Sequence, residues 1–272
     1  MIPAPDLPIS FGICVGPNWN DEWLSACIKS IEDQNIPEYE IILSFDKFNA
    51  DYRMMKYFRN DMVIHQLGEW LPKKKNTIAE IAKYDTLVIV HDYYLFDDDW
   101  YDGVKEYNAS IGYNNWDLMN NFVLRLEDSE RGPDWVINPQ YMKKFLDNPA
   151  NSDILSELKS LYPTENHPMY VVGLSPHEKN LTPLQYVSGG FIMCKRKVLL
   201  SVPFNEDMKP GESEDLEWFE RVKKSTDKFR LTFNTFSIVY TQKPNKWRVF
   251  QLPVHHVERL RGAMNQGFFA NA

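Results

Sequence analysis

The 272-residue chain has little cysteine and no surplus of positive charge. Its three cysteines, Cys14, Cys27 and Cys194, are too few and too odd in number for a disulfide framework, and read as buried, reduced thiols. A net charge of −8 counts against a nucleic-acid backbone as partner, because there is no cationic excess to displace counterions. No stretch approaches the roughly 20 uncharged apolar residues of a membrane span. The opening "MIPAPDLPIS" has neither the basic start nor the apolar run of a secretory leader, so a cytoplasmic location is expected. The sequons at Asn108 and Asn180 are then chance matches. A dinucleotide-binding glycine fingerprint is missing after the first apolar run, which disfavours a dinucleotide-dependent oxidoreductase. A sugar-phosphate nucleotidyltransferase would want a Gly-rich basic loop there, and "GPNWNDEW" is acidic and aromatic instead. Internal repeats and clean linkers are lacking too, which favours one domain.

What is present is organised. Aromatic residues make up 14% of the chain, a composition that suits both a core and a cleft for flat ligands such as bases and sugar rings. "ISFGICVG", "YEIILSF", "DMVIHQL" and "TLVIV" are short apolar runs that read as strands, and "NDEWLSACIKSIEDQ" and "KKKNTIAEIAKY" have helical spacing. Asn20 or Asp21 is a plausible N-cap for the first helix. Continuous rather than alternating apolar runs point to a mostly parallel sheet covered on both faces. Ligands of such sheets sit outside the carboxyl ends of the strands, where Pro17-Asn18, Asp46 and His91-Asp92 fall. Farther on, "WDLMNNFVLRL" reads as a strand, "SDILSELKSLY" as a helix and Pro163–Gln185 as a long loop. "YVSGGFIMCK" reads as a strand interrupted at Gly189-Gly190, "SEDLEWFERVKK" as a helix capped by Ser213, and "FRLTFNTFSIVYTQ" as two short strands.

Taken in order, "PISFGICVGPNWNDEWLSACIKSIEDQNIPEYEIILSFD", "KKKN", "VIVHDYY", "SGGFIMCKRKVL" and "GESEDLEWFERV" resemble the family 2-like nucleotide-sugar glycosyltransferases of the GT-A fold, over about Ile9 to Tyr240. The resemblance implies a single α/β, Rossmann-like domain over 1–272, its mostly parallel central sheet flanked by helices. Residues to about 115 would form the nucleotide-sugar half, 116–242 a more irregular acceptor and catalytic half, and 243–272 a C-terminal tail. It also implies a donor site at Pro17, Asn18, Asp46, Lys75, Asn76, Asp92, Tyr93 and Gly190, with the donor most readily a UDP-sugar such as UDP-glucose or UDP-galactose. For Lys75 a solvated face, for Asp46 a simple turn and for Gly189-Gly190 a packing role remain open.

The family's Asp-x-Asp is altered here. Read as His91-Asp92-Tyr93 the motif has lost its last acid; read as Asp92-Tyr93-Tyr94 it has a phenol in the second place. Asp92 survives in both registers. A departing nucleoside diphosphate concentrates negative charge, which a hard divalent ion such as Mn²⁺ or Mg²⁺ can neutralise from a carboxylate. The resemblance implies metal ligands at Asp92 and Tyr94 with a C-terminal histidine, His256 or else His255. The run Asp97, Asp98 and Asp99 is better explained as the acidic start of a helix at "WYDGVKEY".

"GESEDLEWFERV" resembles the Glu-Asp motif at the family's acceptor site, with Arg221 seven positions after Glu214. By that match Asp215 is the general base and Glu214 orients the acceptor hydroxyl, with Gly189 and Trp218 nearby; an acidic first turn that only stabilises its helix is the competing reading. Inverting transfer needs a carboxylate opposite the leaving group to take the hydroxyl proton. The expected activity is therefore a metal-assisted, inverting hexosyl transfer to a carbohydrate or other hydroxyl acceptor. A non-catalytic nucleotide- or carbohydrate-binding descendant of the fold is the alternative, because the acid pair is broken.

Overall fold

The computed structural model describes residues 5–45, 57, 62–66, 70–112, 115–132, 134–161, 171–173, 184–225, 229–243, 249–251 and 254–268. Every residue of β1 (Ile9–Cys14) is buried, as its unbroken apolar run requires. Asn20 starts α1 (Asp21–Glu32) by accepting the N–H groups of Glu22 and Trp23, and Leu24, Cys27, Ile28 and Ile31 form the buried stripe. β2 (Tyr39–Phe45) lies parallel to β1, and β3 (Met62–Gln66) parallel to β2. α2 (Leu71–Ile81) carries a proline in its first turn and buries Lys74, Lys75 and Asn76 as well as Ile78. β4 (Thr86–His91) joins β1 in parallel on the side away from β2.

From there the chain turns irregular. β5 (Tyr94–Phe96) and α3 (Trp100–Ile111) are followed by β6 (Leu118–Arg125), β7 (Trp135–Ile137), α4 (Pro139–Leu146) and α5 (Ser152–Leu161). Next come β8 (Val171–Gly173), β9 (Gln185–Val187), β10 (Phe191–Lys195), α6 (Arg196–Ser201) and α7 (Glu214–Lys224). β11 (Leu231–Thr241), β12 (Val249–Gln251) and α8 (Val254–Asn265) complete the described elements. The central sheet has the order β3-β2-β1-β4-β10-β6-β11-β5, and a smaller sheet the order β12-β8-β7-β9. Along β4, Leu87 and Ile89 enter the apolar cluster on one face while Val88 and Val90 enter the other, so helices cover both faces. No helix among the described residues is long and apolar enough to cross a membrane.

Three differences from the sequence reading have physical causes, and a fourth is a short strand within the expected loop. "YVSGGFIMCK" is two strands in two sheets, β9 and β10, because the chain changes sheet at Ser188–Gly190. "FRLTFNTFSIVYTQ" is the single strand β11, whose register shifts between Asn234 and Ile238; Asn234 holds that bulge by bonding Ser237 Oγ at 2.7 Å and the Phe236 N–H at 2.8 Å. Ser213 stands at the N-cap position of α7 but makes no capping bond, because it is left-handed at φ 56°, ψ 60°. The expected loop 163–185 contains β8, and most of its remainder lies outside the described residues. The acidic run fits its helical role only loosely: Asp99 precedes α3 without a side-chain cap bond, and Asp97 contributes its carbonyl to the Trp100 N–H. Within the expected C-terminal tail, α8 buries Leu260 and His256.

Candidate active site

The parallel strands end together: Cys14 of β1 is in register with His91 of β4. Asp92 follows directly, is 7% exposed, and accepts the backbone N–H groups of Gly16 and of itself. Burial pushes its carboxyl up to about 6, against those bonds and the charges of Lys74 and Lys243. Lys74 is wholly buried and gives its ammonium to the Val15 carbonyl at 2.6 Å. Beside it, His91 Nδ1 meets the Tyr93 hydroxyl at 2.7 Å. Burial, with the charges of Lys75, Lys243 and Lys74, pushes the His91 imidazole down to about 3, so the ring is neutral at physiological pH. Its Nε2 is buried without a hydrogen-bond partner among the described residues.

The facing wall comes from the second half of the chain. The His91 N–H donates to the Gly190 carbonyl at 3.1 Å, which brings the sheet-change point against the end of β4. There the Gly189 N–H donates to Asp215 Oδ2 at 2.8 Å. A Cβ on Gly189 would sit 2.7 Å from Asp215 Cβ and 2.9 Å from Lys75 Nζ, so glycine is what lets these groups meet. Lys75, wholly buried, pairs with Glu214 Oε1 at 3.1 Å and lies 4.7 Å over the Phe204 ring. Asp215 also accepts the Tyr186 hydroxyl on Oδ2 and the Leu216 N–H on Oδ1. Tyr186 is raised well above the usual phenol range by burial and then by the Asp215 charge, so it stays a donor.

The two walls share one electrostatic environment. Burial leads the upward shift of the Tyr93 phenol, and the charges of both Asp92 and Asp215 add to it. The Cys14 thiol, pushed up to about 11 by burial, feels Lys75, Lys74, Asp92 and Glu214 together. Asp92, Lys74, Lys75, Glu214, Asp215 and Gly189-Gly190 are thus neighbours at the carboxyl ends of the parallel strands. Pro17 and Asn18 are exposed just beyond β1. Asp46 lies outside the described residues.

Other sequence candidates are engaged in packing. Both ends of the Asn76 amide are used: Nδ2 donates to the Phe204 carbonyl and to Glu206, and Oδ1 accepts the Phe204 N–H. Trp218 is wholly buried, stacked on Phe204 at 4.7 Å, with its indole N–H on the Val202 carbonyl, so it supports the wall from behind and offers an acceptor no surface. Tyr94, His256 and His255, the other suggested metal ligands, sit in surroundings of their own. The Tyr94 phenol is buried beneath Gly190, where a Cβ would meet its hydroxyl at 2.8 Å, and burial holds it protonated. His256 bonds Glu157 of α5 at 2.8 Å, with His255 alongside. What remains at the strand ends is Asp92, one buried carboxylate short of compensating charge. That is a fit for a hard cation shared with a ligand's phosphates, since Mg²⁺ commonly takes one or two carboxylates and keeps its other positions for phosphate and water.

Sequence reasoning did not find Lys74, Tyr186, Phe204 or Lys243. Three consecutive lysines give no sign that Lys74 as well as Lys75 turns inward, and Tyr186 reaches Asp215 only through the change of sheet.

No family model and no curated protein sequence matches the chain. Solved structures do. A crystal structure of residues 1–349 of Staphylococcus aureus TarS superposes with a TM-score of 0.52 at 15% identity. That match covers 86% of this chain and 61% of the other. A longer TarS structure gives 0.54 at 14% identity, covering 87% of this chain and 37% of the other. The chain therefore spans less than two thirds of either structure. At these identities the likeness establishes the fold, a GT-A-type α/β domain.

Proposed function

We propose that the chain is an inverting glycosyltransferase that moves a sugar from a nucleotide-sugar donor, a UDP-sugar such as UDP-glucose or UDP-galactose, to an acceptor hydroxyl. The observation that carries this reading is the juxtaposition of a charge-deficient site at Asp92 with a hydrogen-bonded carboxylate at Asp215 across the Gly189-Gly190 turn. Asp215 receives three hydrogen bonds on about four lone-pair positions, which leaves room on Oδ1 for an acceptor hydroxyl. Tyr186 and Gly189 hold the other oxygen, so the carboxylate is fixed before substrate arrives. As the acceptor oxygen attacks the anomeric carbon, Asp215 takes its proton and the bond to the diphosphate breaks on the opposite face. Glu214, held by Lys75, orients the acceptor, and Pro17 and Asn18 flank the donor's base.

Asp92 would hold a divalent cation, Mn²⁺ or Mg²⁺, together with the donor's phosphates; when bound, that cation neutralises charge on the leaving group. Replacement of Asp215 by Asn tests the assignment. With a UDP-sugar and Mn²⁺, UDP release should fall by roughly 10²–10⁴-fold while the ligand-induced rise in Tm persists. Equal turnover by variant and wild type would remove Asp215 from the mechanism. A Tm shift without any UDP release from the wild type would favour the non-catalytic binding protein, a reading to which the single surviving acid at Asp92 lends weight.

A further inference from the structure

We propose that Glu157, His255 and His256 form a transition-metal site that clasps α8 to α5, with neither Asp92 nor Asp215 among its ligands. Glu157 projects from α5, and the two histidines occupy the first turn of α8. Successive helical residues point about 100° apart, so adjacent histidines ordinarily face different surroundings. Here both Nε2 atoms turn to one carboxylate oxygen. His256 Nε2 lies 2.8 Å from Glu157 Oε2, His255 Nε2 lies 3.7 Å from the same atom, and the ring centroids are 4.0 Å apart. All three ligand atoms are within 4.8 Å of one another.

Hydrogen bonding explains half of this arrangement. His256 is buried, its Nδ1 has no partner among the described residues, and its polar contact there runs through Nε2 to Glu157. His255 is different. At 3.7 Å it is beyond hydrogen-bond reach, and with a side chain 66% exposed it has water for its polar atoms, so nothing in that carboxylate holds it. A metal accounts for both rings. Zn²⁺ bound at about 2.0–2.1 Å to each of three ligands sets them about 3.3 Å apart in a tetrahedron, between the two distances observed. Two imidazoles and one carboxylate, with a fourth position for water, are a donor set that Zn²⁺ takes, and imidazole selects it over Mg²⁺ or Ca²⁺. The bond would pin α8, whose Leu260 enters the same apolar cluster as Trp218 and Phe219 of α7.

Metal uptake is the test. The 272-residue chain stripped with EDTA and titrated with Zn²⁺ alone should bind about one equivalent, counted by elemental analysis, and gain at least about 3 °C in Tm. His255→Ala removes an exposed side chain and should leave the metal-free Tm unchanged while weakening Zn²⁺ binding by more than about tenfold. Glu157→Gln keeps the volume and an acceptor for His256, and should lose the metal equally. Asp92→Asn should retain the full equivalent, which separates this site from the cation proposed at Asp92. No uptake by the wild type, or undiminished uptake by His255→Ala, would overturn the site.

Discussion

The two sides of the candidate site hold charge in opposite ways. At the end of β4 a single carboxylate, Asp92, is buried with backbone N–H groups and more distant cations for company, and its carboxyl is pushed up accordingly. Across the turn, Glu214 and Asp215 are each met directly, one by Lys75 and the other by Tyr186, Gly189 and Leu216. The first side keeps a buried charge with no directly paired cation among the described residues, and in the second each carboxylate is met by a close partner. Under the proposed function that division would help, because donor binding would relieve a cost at Asp92 while Asp215 stays fixed.

Breaking the paired side should cost most. Lys75→Met leaves Glu214 buried without its cation, and loss of one partner from a buried ion pair costs about 3–5 kcal/mol. Urea unfolding should show that loss, and adding Glu214→Gln should restore much of it by removing the stranded charge. If Lys75→Met alone is as stable as wild type, the pair is not holding the wall together. The Asp92 side should respond with the opposite sign. Asp92→Asn keeps an acceptor for the Gly16 N–H while removing a penalised charge, so in metal-free buffer at pH 8 it should stabilise by up to about 3 kcal/mol. That gain should come with weakened UDP-sugar and Mn²⁺ binding, a trade familiar at functional sites.

This contrast follows how far the fold and site could be read from the chain. β1, β2 and β4 were legible because each is a continuous apolar run that stops at a polar or turn residue, and parallel burial on both faces leaves just that signature. Asp92 was found on the same grounds, as charge directly after a buried strand. The second half hid its geometry in long-range contacts: Lys75 meets Glu214 across 139 positions and Tyr186 meets Asp215 across 29. Glu214 and Asp215 stand out by family resemblance, but spacing alone contains nothing about their partners. Lys74 was missed for another reason. A lysine in "KKKN" reads as solvated, and its burial is decided by the Val15 carbonyl at the end of a different element.

A smaller effect tests how tightly the walls meet. A Cβ on Gly190 would press on the Tyr94 hydroxyl at 2.8 Å, so Gly190→Ala should destabilise by about 1–3 kcal/mol. Tyr94→Phe removes the obstructing oxygen, and the double variant should recover most of the loss in thermal unfolding. An additive double variant would mean that the contact does not govern the spacing.

The smallest effect is a cancellation that can be taken apart with pH. Asp92 has a folded pKa of about 6, above its ordinary 3.8, so acid favours the folded state as pH falls through that window. His91 has a folded pKa of about 3, below its ordinary 6.5, so under pH 6.5 the unfolded chain takes a proton that the folded one refuses. Between about pH 4 and 6 these slopes oppose each other, and metal-free wild type should show little net dependence from the pair. Replacing His91 by Asn leaves the Asp92 slope exposed: relative to wild type, stability should rise as pH is lowered from 6 to 4. Asp92→Asn should show the reverse trend, and the double variant should follow the wild type. Urea midpoints measured in chelator at intervals across that range would decide it. Equal slopes for the two single variants would mean that Asp92 and His91 do not titrate against each other, and that the wall at β4 is better compensated than its burial indicates.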